Sequence, residues 1–142
     1  MPVREPPTTL LAHQLRETLG RVIRRLRAEP GPSVGRMAVL GRLERGGASS
    51  ISELATGEKM RPQSMAQTVN DLETAGLVSR RPDPNDGRRV LIELTTQGRH
   101  LVHTTRARRE TWLTGVLESE LNADERALLQ DAIVLLERIA DA

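Results

Sequence analysis

The chain has 142 residues, a length that suits one domain with a modest core, and it contains no cysteine and a single aromatic side chain. The missing cysteine excludes disulfide bonds, thiolate zinc sites and cysteine nucleophiles. The formal net charge is only +2 at pH 7, and no apolar run approaches the ~20 residues that a membrane span requires. The N-terminal segment lacks the apolar core of a signal peptide, so we expect a soluble cytoplasmic protein.

The first two helices are predicted from their start and stop signals. The first begins near Thr8 and ends at the Glu29-Pro30-Gly31-Pro32 segment, because proline and glycine interrupt helices. Ser33 caps the second helix, and Gly46-Gly47 ends it. The first helix carries an apolar stripe at helical spacing, formed by Leu11, Leu15, Leu19, Val22 and Leu26.

A short third helix and a longer fourth helix follow. Ser50 and Glu53 match the capping-box pattern and open a helix that runs to about Thr56. The fourth helix begins with Pro62, which suits a first helical position, and Gly76 ends it. One face of this helix is predicted to be buried, because apolar residues recur at i, i+4 and i+7: Met65, Val69 and Leu72. The spacing of the two helices is that of a helix-turn-helix.

A β-ribbon comes next along the chain. Two strand-like segments, Leu77–Arg81 and Arg89–Thr95, flank the turn sequence PDPNDG. Four arginines lie in or beside this turn: Arg80, Arg81, Arg88 and Arg89. The basic residues of the middle third are thus concentrated in the ribbon, whereas residues 96–142 carry six basic and eight acidic side chains, net −2. A nucleic-acid footprint is therefore expected at the ribbon and not on the C-terminal helices.

Two further helices complete the chain. Thr95 caps a long fifth helix that contains the single aromatic residue, Trp112, and the Asn122 and Glu125 pair opens the last helix with another capping-box pattern. We interpret Trp112 as core or dimer packing. We predict that the first and last helices form a dimer interface with Leu11, Leu15, Leu19, Leu129, Ile133 and Leu136.

Several short motifs occur together in a specific order and spacing. They are Ile51-Ser52-Glu53-Leu54-Ala55, Leu72-Glu73, Gly76-Leu77-Val78 with Arg80, Asp86-Gly87-Arg88, Leu94-Thr95 and Gly98. With them the chain resembles the MarR family of winged-helix transcription factors across nearly its full length. The resemblance implies an obligate homodimer held by its terminal helices, a palindromic operator and, commonly, release by a small ligand. The chain departs from the family at Ala66-Gln67, where a Thr-Arg pair is frequent.

The predicted fold class is mainly α, a winged helix-turn-helix with a helical dimerisation region. Residues 1–142 would form a single MarR-type domain. Within it, residues 33–95 would form the winged helix-turn-helix, and residues 8–29 with 96–140 would form the dimerisation helices.

The predicted DNA-binding residues lie on the fourth helix and the ribbon. An amide side chain can bind the N6 and N7 atoms of adenine together, and a ribbon arginine can reach a phosphate or a narrow minor groove. Asp86 would orient the Arg88 guanidinium or brace the turn. The alternative interpretation of the amides is an ordinary solvated helix face, and that of Asp86 and Arg88 is an ordinary exposed turn. The predicted residues are Arg61, Pro62, Gln63, Ser64, Gln67, Asn70, Arg80, Asp86, Arg88 and Arg89.

No catalytic or metal-binding pattern is present in the sequence. His100 and His103 share a helix face, but no third ligand accompanies them, so neither a metal nor a cofactor is expected. The predicted function is that of a sequence-specific, homodimeric DNA-binding regulator, expected to be a repressor, with double-stranded DNA and a small-molecule effector as partners. The rival interpretation is a helical winged-helix module that binds a protein partner, and a small-molecule enzyme ranks third.

Overall fold

The computed structural model of the protein describes residues 4–142 as six helices and one two-stranded sheet. In chain order the elements are α1 (Thr8–Arg27), α2 (Val34–Gly46), α3 (Ile51–Gly57), α4 (Pro62–Thr74), β1 (Val78–Pro82), β2 (Val90–Leu94), α5 (Thr96–Glu120) and α6 (Ala123–Ala140). The chain divides into two compact units, one that ends at Thr105 and one from Arg106 to Ala142. The mainly α winged-helix class is confirmed. No helix within residues 4–142 is long and apolar enough to cross a membrane.

The caps of α2 and α3 are serines, as the sequence predicts. The Ser33 hydroxyl accepts a hydrogen bond from the Arg36 backbone N–H, at 3.2 Å, and the Ser50 hydroxyl accepts one from the Glu53 backbone N–H, at 3.1 Å. Only half of the predicted capping box forms at α3, because the Glu53 carboxylate binds Arg89 of the ribbon instead of the N-cap backbone. A tertiary ion pair has replaced a local contact here.

The helix α4 ends in a turn that only glycine adopts without strain. Gly76 has φ +77°, in the left-handed region. The backbone N–H of Gly76 donates to the Glu73 carbonyl, and that of Leu77 donates to the Leu72 carbonyl at 3.0 Å. These two bonds form a Schellman motif, which satisfies the last carbonyls of the helix. Leu77 therefore belongs to the helix cap, and β1 begins one residue later than the sequence predicted, at Val78.

The ribbon is an antiparallel pair whose register joins Val78 to Leu94 and Pro82 to Val90. An isolated bridge attaches β2 to the segment before α3: Ser49 and Ile92 exchange two backbone hydrogen bonds, at 3.0 and 2.8 Å. The second strand is shorter than predicted at both ends, since Thr95 instead caps α5 by accepting from the Gly98 N–H. The ribbon is thus fixed to the helix-turn-helix by its second strand.

The core lies in the first unit. It joins the inward faces of α2, α3 and α4 to both strands and to the start of α5, and its apolar members are aliphatic. The predicted inward triad of α4 is confirmed as fully buried. The buried cluster consists of Val39, Leu40, Leu43, Leu54, Ala55, Met65, Val69, Leu72, Val78, Ile92 and Val102.

The terminal helices leave their apolar faces uncovered in the single chain. The helix α1 buries none of its residues, and Leu11 is 51% exposed. It ends at Arg27, two residues earlier than predicted, because Pro30 disfavours the helical conformation at Glu29. In the other unit α6 likewise buries no residue. The predicted interface residues Leu11, Leu19, Leu129 and Ile133 are exposed, and Leu15 and Leu136 are half-buried.

Gly98 lies where the first turn of α5 passes very close to the backbone after α4. A Cβ at this position would lie 2.0 Å from the Leu77 carbonyl oxygen. We expect Gly98→Ala to lower the free energy of unfolding by about 1–3 kcal/mol, because the backbone would have to move. Urea denaturation measures this loss. Gly35→Ala is the matched control, since Gly35 lies in the first turn of α2 with nothing within 4 Å of its added Cβ. Equal losses in the two variants would contradict this account.

Candidate nucleic-acid interface

The outward face of α4 carries the predicted base-reading side chains. Gln63, Ser64, Gln67 and Asn70 are all exposed, while the apolar triad on the opposite side of the helix is buried. Arg61 occupies the N-cap position and Pro62 the first helical position, and both are exposed. The helix therefore presents a row of uncharged polar groups to solvent and is anchored from behind.

Gln67 is part of a short polar chain that reaches a second helix. Its Nε2 atom donates a hydrogen bond to Asp71 Oδ1 at 3.1 Å, and Arg36 Nη2 of α2 donates to Asp71 Oδ2 at 3.0 Å. Neither Arg36 nor Asp71 was among the residues predicted from the sequence to bind DNA. The i, i+4 spacing of Gln67 and Asp71 is a signal for their contact, but nothing local indicates the partner 35 residues away.

Asn70, like Gln67, forms a hydrogen bond with a charged side chain, and its partner lies on the ribbon. Arg80 of β1 donates through Nη2 to the Asn70 side-chain oxygen, and its Nε lies 3.2 Å from Glu73 Oε2. The structure thus brings together two predicted DNA-binding residues, Asn70 and Arg80. It also adds Glu73, which carries the opposite charge.

The turn between the strands is held by its own acidic side chains. Asp86 Oδ1 accepts from the Arg88 backbone N–H at 3.0 Å, and the Asp86 carbonyl accepts from the Arg89 N–H at 2.9 Å. Asp83 accepts from the Asn85 backbone N–H in the same manner. Of the two predicted roles of Asp86, this geometry supports bracing of the turn, in the form of an Asx turn. The turn is therefore a defined platform for the side chain of Arg88.

Three of the four ribbon arginines are paired with carboxylates. Arg80 pairs with Glu73, Arg81 pairs with Glu93 at 2.9 Å, and Arg89 pairs with Glu53 of α3 and lies 3.8 Å from Asp83. Among the described residues, no carboxylate lies within ion-pair distance of Arg88, which is exposed at the tip of the turn.

The strength of these pairs decides what the arginines can do. The paired groups remain partly exposed to water, and such surface pairs contribute about 0–1 kcal/mol each. A phosphate can therefore replace a carboxylate partner at small cost, whereas Arg88 needs no exchange at all. The ribbon thus has one arginine, Arg88, without a carboxylate partner in the part of the chain that the structure describes, and three arginines whose carboxylate partners a phosphate could replace.

The two histidines that share a face of α5 do not form a metal site with their neighbours. His103 Nε2 lies 3.8 Å from Glu44 Oε2 of α2, a distance that makes an ion pair only when the imidazole is protonated. Within residues 4–142, no group of three histidine or acidic side chains is placed to hold a metal ion.

Comparison with known proteins agrees with this geometry. The sequence model described as MarR family matches residues 31–89, from just before α2 to the end of the wing turn. An HTH-type transcriptional regulator of Mycobacterium leprae is 34% identical over 92% of this chain and 93% of its own length. The chain belongs to the MarR family of transcriptional regulators. As in other winged-helix proteins, α3 and α4 form its helix-turn-helix, and the ribbon is its wing.

Solved structures resemble this MarR-family chain over nearly its whole length. A transcriptional regulator from Pseudomonas aeruginosa is 34% identical, with a TM-score of 0.74 over 96% of this chain and 99% of its own. Bordetella bronchiseptica BpsR, whose DNA binding is regulated by 6-hydroxynicotinic acid, is 25% identical, with a TM-score of 0.72 over 92% of this chain and 93% of its own.

Proposed function

We propose that this MarR-family chain binds a palindromic operator as a homodimer and acts as a repressor. The observation that carries the proposal is the exposed amide row of α4 beside a wing whose Arg88 has no carboxylate partner in the described chain. The amides suit base edges in a major groove, and the guanidinium suits a phosphate or a narrow minor groove. Arg61 and Ser64, exposed near the start of α4, are proposed phosphate contacts.

The homodimer is supported by apolar faces that the single chain leaves in water. Helices α1 and α6 bury none of their own residues, yet both carry leucine and isoleucine along their length. Exposed apolar surface of this kind marks an interaction site. We propose that a second copy of the chain covers it. The two-fold axis of the dimer would relate the α4 helices of the two protomers, and the two half-sites would lie about one turn of DNA, ~10 base pairs, apart.

The repressor role and the small-molecule effector rest on the family. A dimer bound across a promoter excludes other proteins by occupying the same DNA, so repression needs no further contact. In BpsR, DNA binding is regulated by 6-hydroxynicotinic acid, and we propose that a small ligand controls DNA binding here too. The chain would act by non-covalent binding and not by catalysis.

The rival function is a winged-helix module that binds a protein partner. The basic wing favours DNA, because a wing directed at a protein surface has no need of an unpaired arginine at its tip. Retention on heparin with a steep salt dependence would also favour DNA.

Selection from random DNA duplexes tests the proposed function. The protein is expected to enrich a two-fold symmetric sequence whose half-sites are separated by about one helical turn. Binding should be measured at several salt concentrations, because phosphate contacts make affinity fall as salt rises. A chain that enriches no sequence, or that binds all duplexes alike, is not a sequence-specific regulator.

A further inference from the structure

Charged neighbours hold the two central amides of α4 in opposite orientations. Gln67 faces Asp71, whose ionised carboxylate can only accept hydrogen bonds, so the amide nitrogen must point towards it. The Gln67 oxygen accepts no hydrogen bond from any residue in the described part of the chain. Gln67 therefore presents a free acceptor and one remaining N–H to solvent.

Asn70 has the reverse arrangement. Its partner is the Arg80 guanidinium, which can only donate, so the amide oxygen must point towards the arginine. Both N–H groups of Asn70 then remain for a ligand, while its oxygen already accepts a hydrogen bond from Arg80.

Both neighbours are themselves fixed from other elements of the fold. Arg36 of α2 holds the second oxygen of Asp71 at 3.0 Å, and Glu73 holds Arg80 of β1 at 3.2 Å. An amide that rotated by half a turn would set like groups against each other, nitrogen against guanidinium or oxygen against carboxylate. The orientations are thus imposed by charge and not by packing.

We propose that Asp71 and Arg80 are positioning residues that set which base each amide reads, with Gln67 reading adenine and Asn70 reading guanine. This inference rests on the proposed function, in which α4 enters the major groove. Adenine offers the N6 donor and the N7 acceptor, which match the free oxygen and the remaining N–H of Gln67. Guanine offers two acceptors, N7 and O6, which match the two N–H groups of Asn70.

The pairing also explains how α4 tolerates acidic side chains on a DNA-facing helix. Asp71 and Glu73 would repel phosphates if they stood alone, but each is neutralised by an arginine from a neighbouring element. Removing either carboxylate should therefore raise affinity for any duplex slightly, while it alters which sequence is preferred.

The experiment compares base preference in variants selected on random duplexes. Gln67→Ala identifies the base pair that Gln67 reads, as the position where preference disappears. Asp71→Asn keeps the shape of the side chain, but its amide can accept or donate and no longer dictates the orientation of Gln67. We expect Asp71→Asn to reduce the adenine preference at that same base pair by about fivefold or more. The double variant should lose no more preference there than Gln67→Ala alone.

Glu93→Gln is the matched control. Glu93 pairs with Arg81 at 2.9 Å, and the exposures of that pair, 39% and 41%, resemble the 41% and 47% of Asp71 and Arg36. The control removes the same charge away from α4, so base preferences should stay unchanged. If Asp71 had only a structural role, Asp71→Asn would leave the base preferences unchanged and would lower the thermal unfolding temperature more than Glu93→Gln does.

Asn70→Asp tests the second half of the proposal. The substitution keeps a partner for Arg80 but replaces two donors by acceptors, so preference at the affected base pair should move from guanine to a base with an amino group. The inference would be overturned if Asp71→Asn kept the wild-type base preferences, or if Gln67→Ala lost preference at no base pair. The proposed function would be unaffected by either result as long as the wild-type protein enriched an operator. Failure of the wild-type protein to enrich any sequence would overturn the proposed function as well.

Discussion

Replacing Ile133 by aspartate is expected to convert the proposed homodimer into monomers and to lower affinity for the proposed operator by about 10²–10⁴-fold. Ile133 is 39% exposed on α6, within a face that the single chain leaves uncovered, so the substitution buries a charge only if a second copy covers that face. Two winged helix-turn-helix units joined in one dimer bind DNA far more tightly than a single unit, and dissociation into monomers removes that gain. Sedimentation at micromolar concentration and operator titration measure the two effects.

Ala127→Asp is the control for this prediction. It places the same charge on the exposed surface of α6, near Asp124 and Asp131 on the helix surface, and it should leave the dimer intact. Because Ile133 is outside the buried core cluster, the monomeric variant should stay folded. A dimer that survives Ile133→Asp with full operator affinity would show that this face of α6 is not the interface.

The elements of the winged helix could be predicted from sequence because their signals are local. The i, i+4, i+7 spacing of the α4 triad and the glycine after the helix specify one helix with one buried face. The helix begins at Pro62 and its closing turn contains Gly76, as predicted, whereas the first strand begins one residue later than predicted, because Leu77 donates its N–H to the Leu72 carbonyl of the helix. The local signals therefore located the helix and its cap more accurately than the first residue of the strand that follows.

The partners of the site residues could not be predicted, because each depends on contacts between distant parts of the chain. Glu53 matches a capping box by spacing, yet it binds Arg89, 36 residues later. Arg36 reaches Asp71 across 35 residues, and no local pattern marks either one. The sequence therefore identified which side chains face outward, whereas the structure identified which of them are already held by an opposite charge.

The apolar stripes of the terminal helices show a third kind of limit. Leu11 on α1 and Leu129 on α6 lie at helical spacing, and such spacing indicates a buried face without saying what buries it. In the single chain both side chains are exposed, at 51% and 36%. This exposure favours a partner surface over an internal core, and it makes the dimer prediction testable by single substitutions.

Arg88→Ala is expected to weaken DNA binding about 100-fold at low salt without unfolding the protein, given about tenfold for each charged hydrogen bond lost and one loss per protomer. Arg88 fills no apolar space and has no carboxylate partner in the described chain, so the fold loses little. If Arg88 contacts a phosphate, cognate and random duplexes should be affected alike, and the slope of log affinity against log salt should fall by ~1 per contact, hence ~2 for the dimer. If it enters a narrow minor groove, the loss should be largest on sites with A·T-rich flanks. Fluorescence anisotropy across a salt series separates these outcomes.

Arg126→Ala is the control: Arg126 lies on α6 and donates to the Leu121 carbonyl at 2.7 Å, so its removal should leave the slope unchanged. Wild-type affinity and slope for Arg88→Ala on every duplex would mean that the ribbon is not a DNA-binding wing, and the protein-partner function would then be favoured.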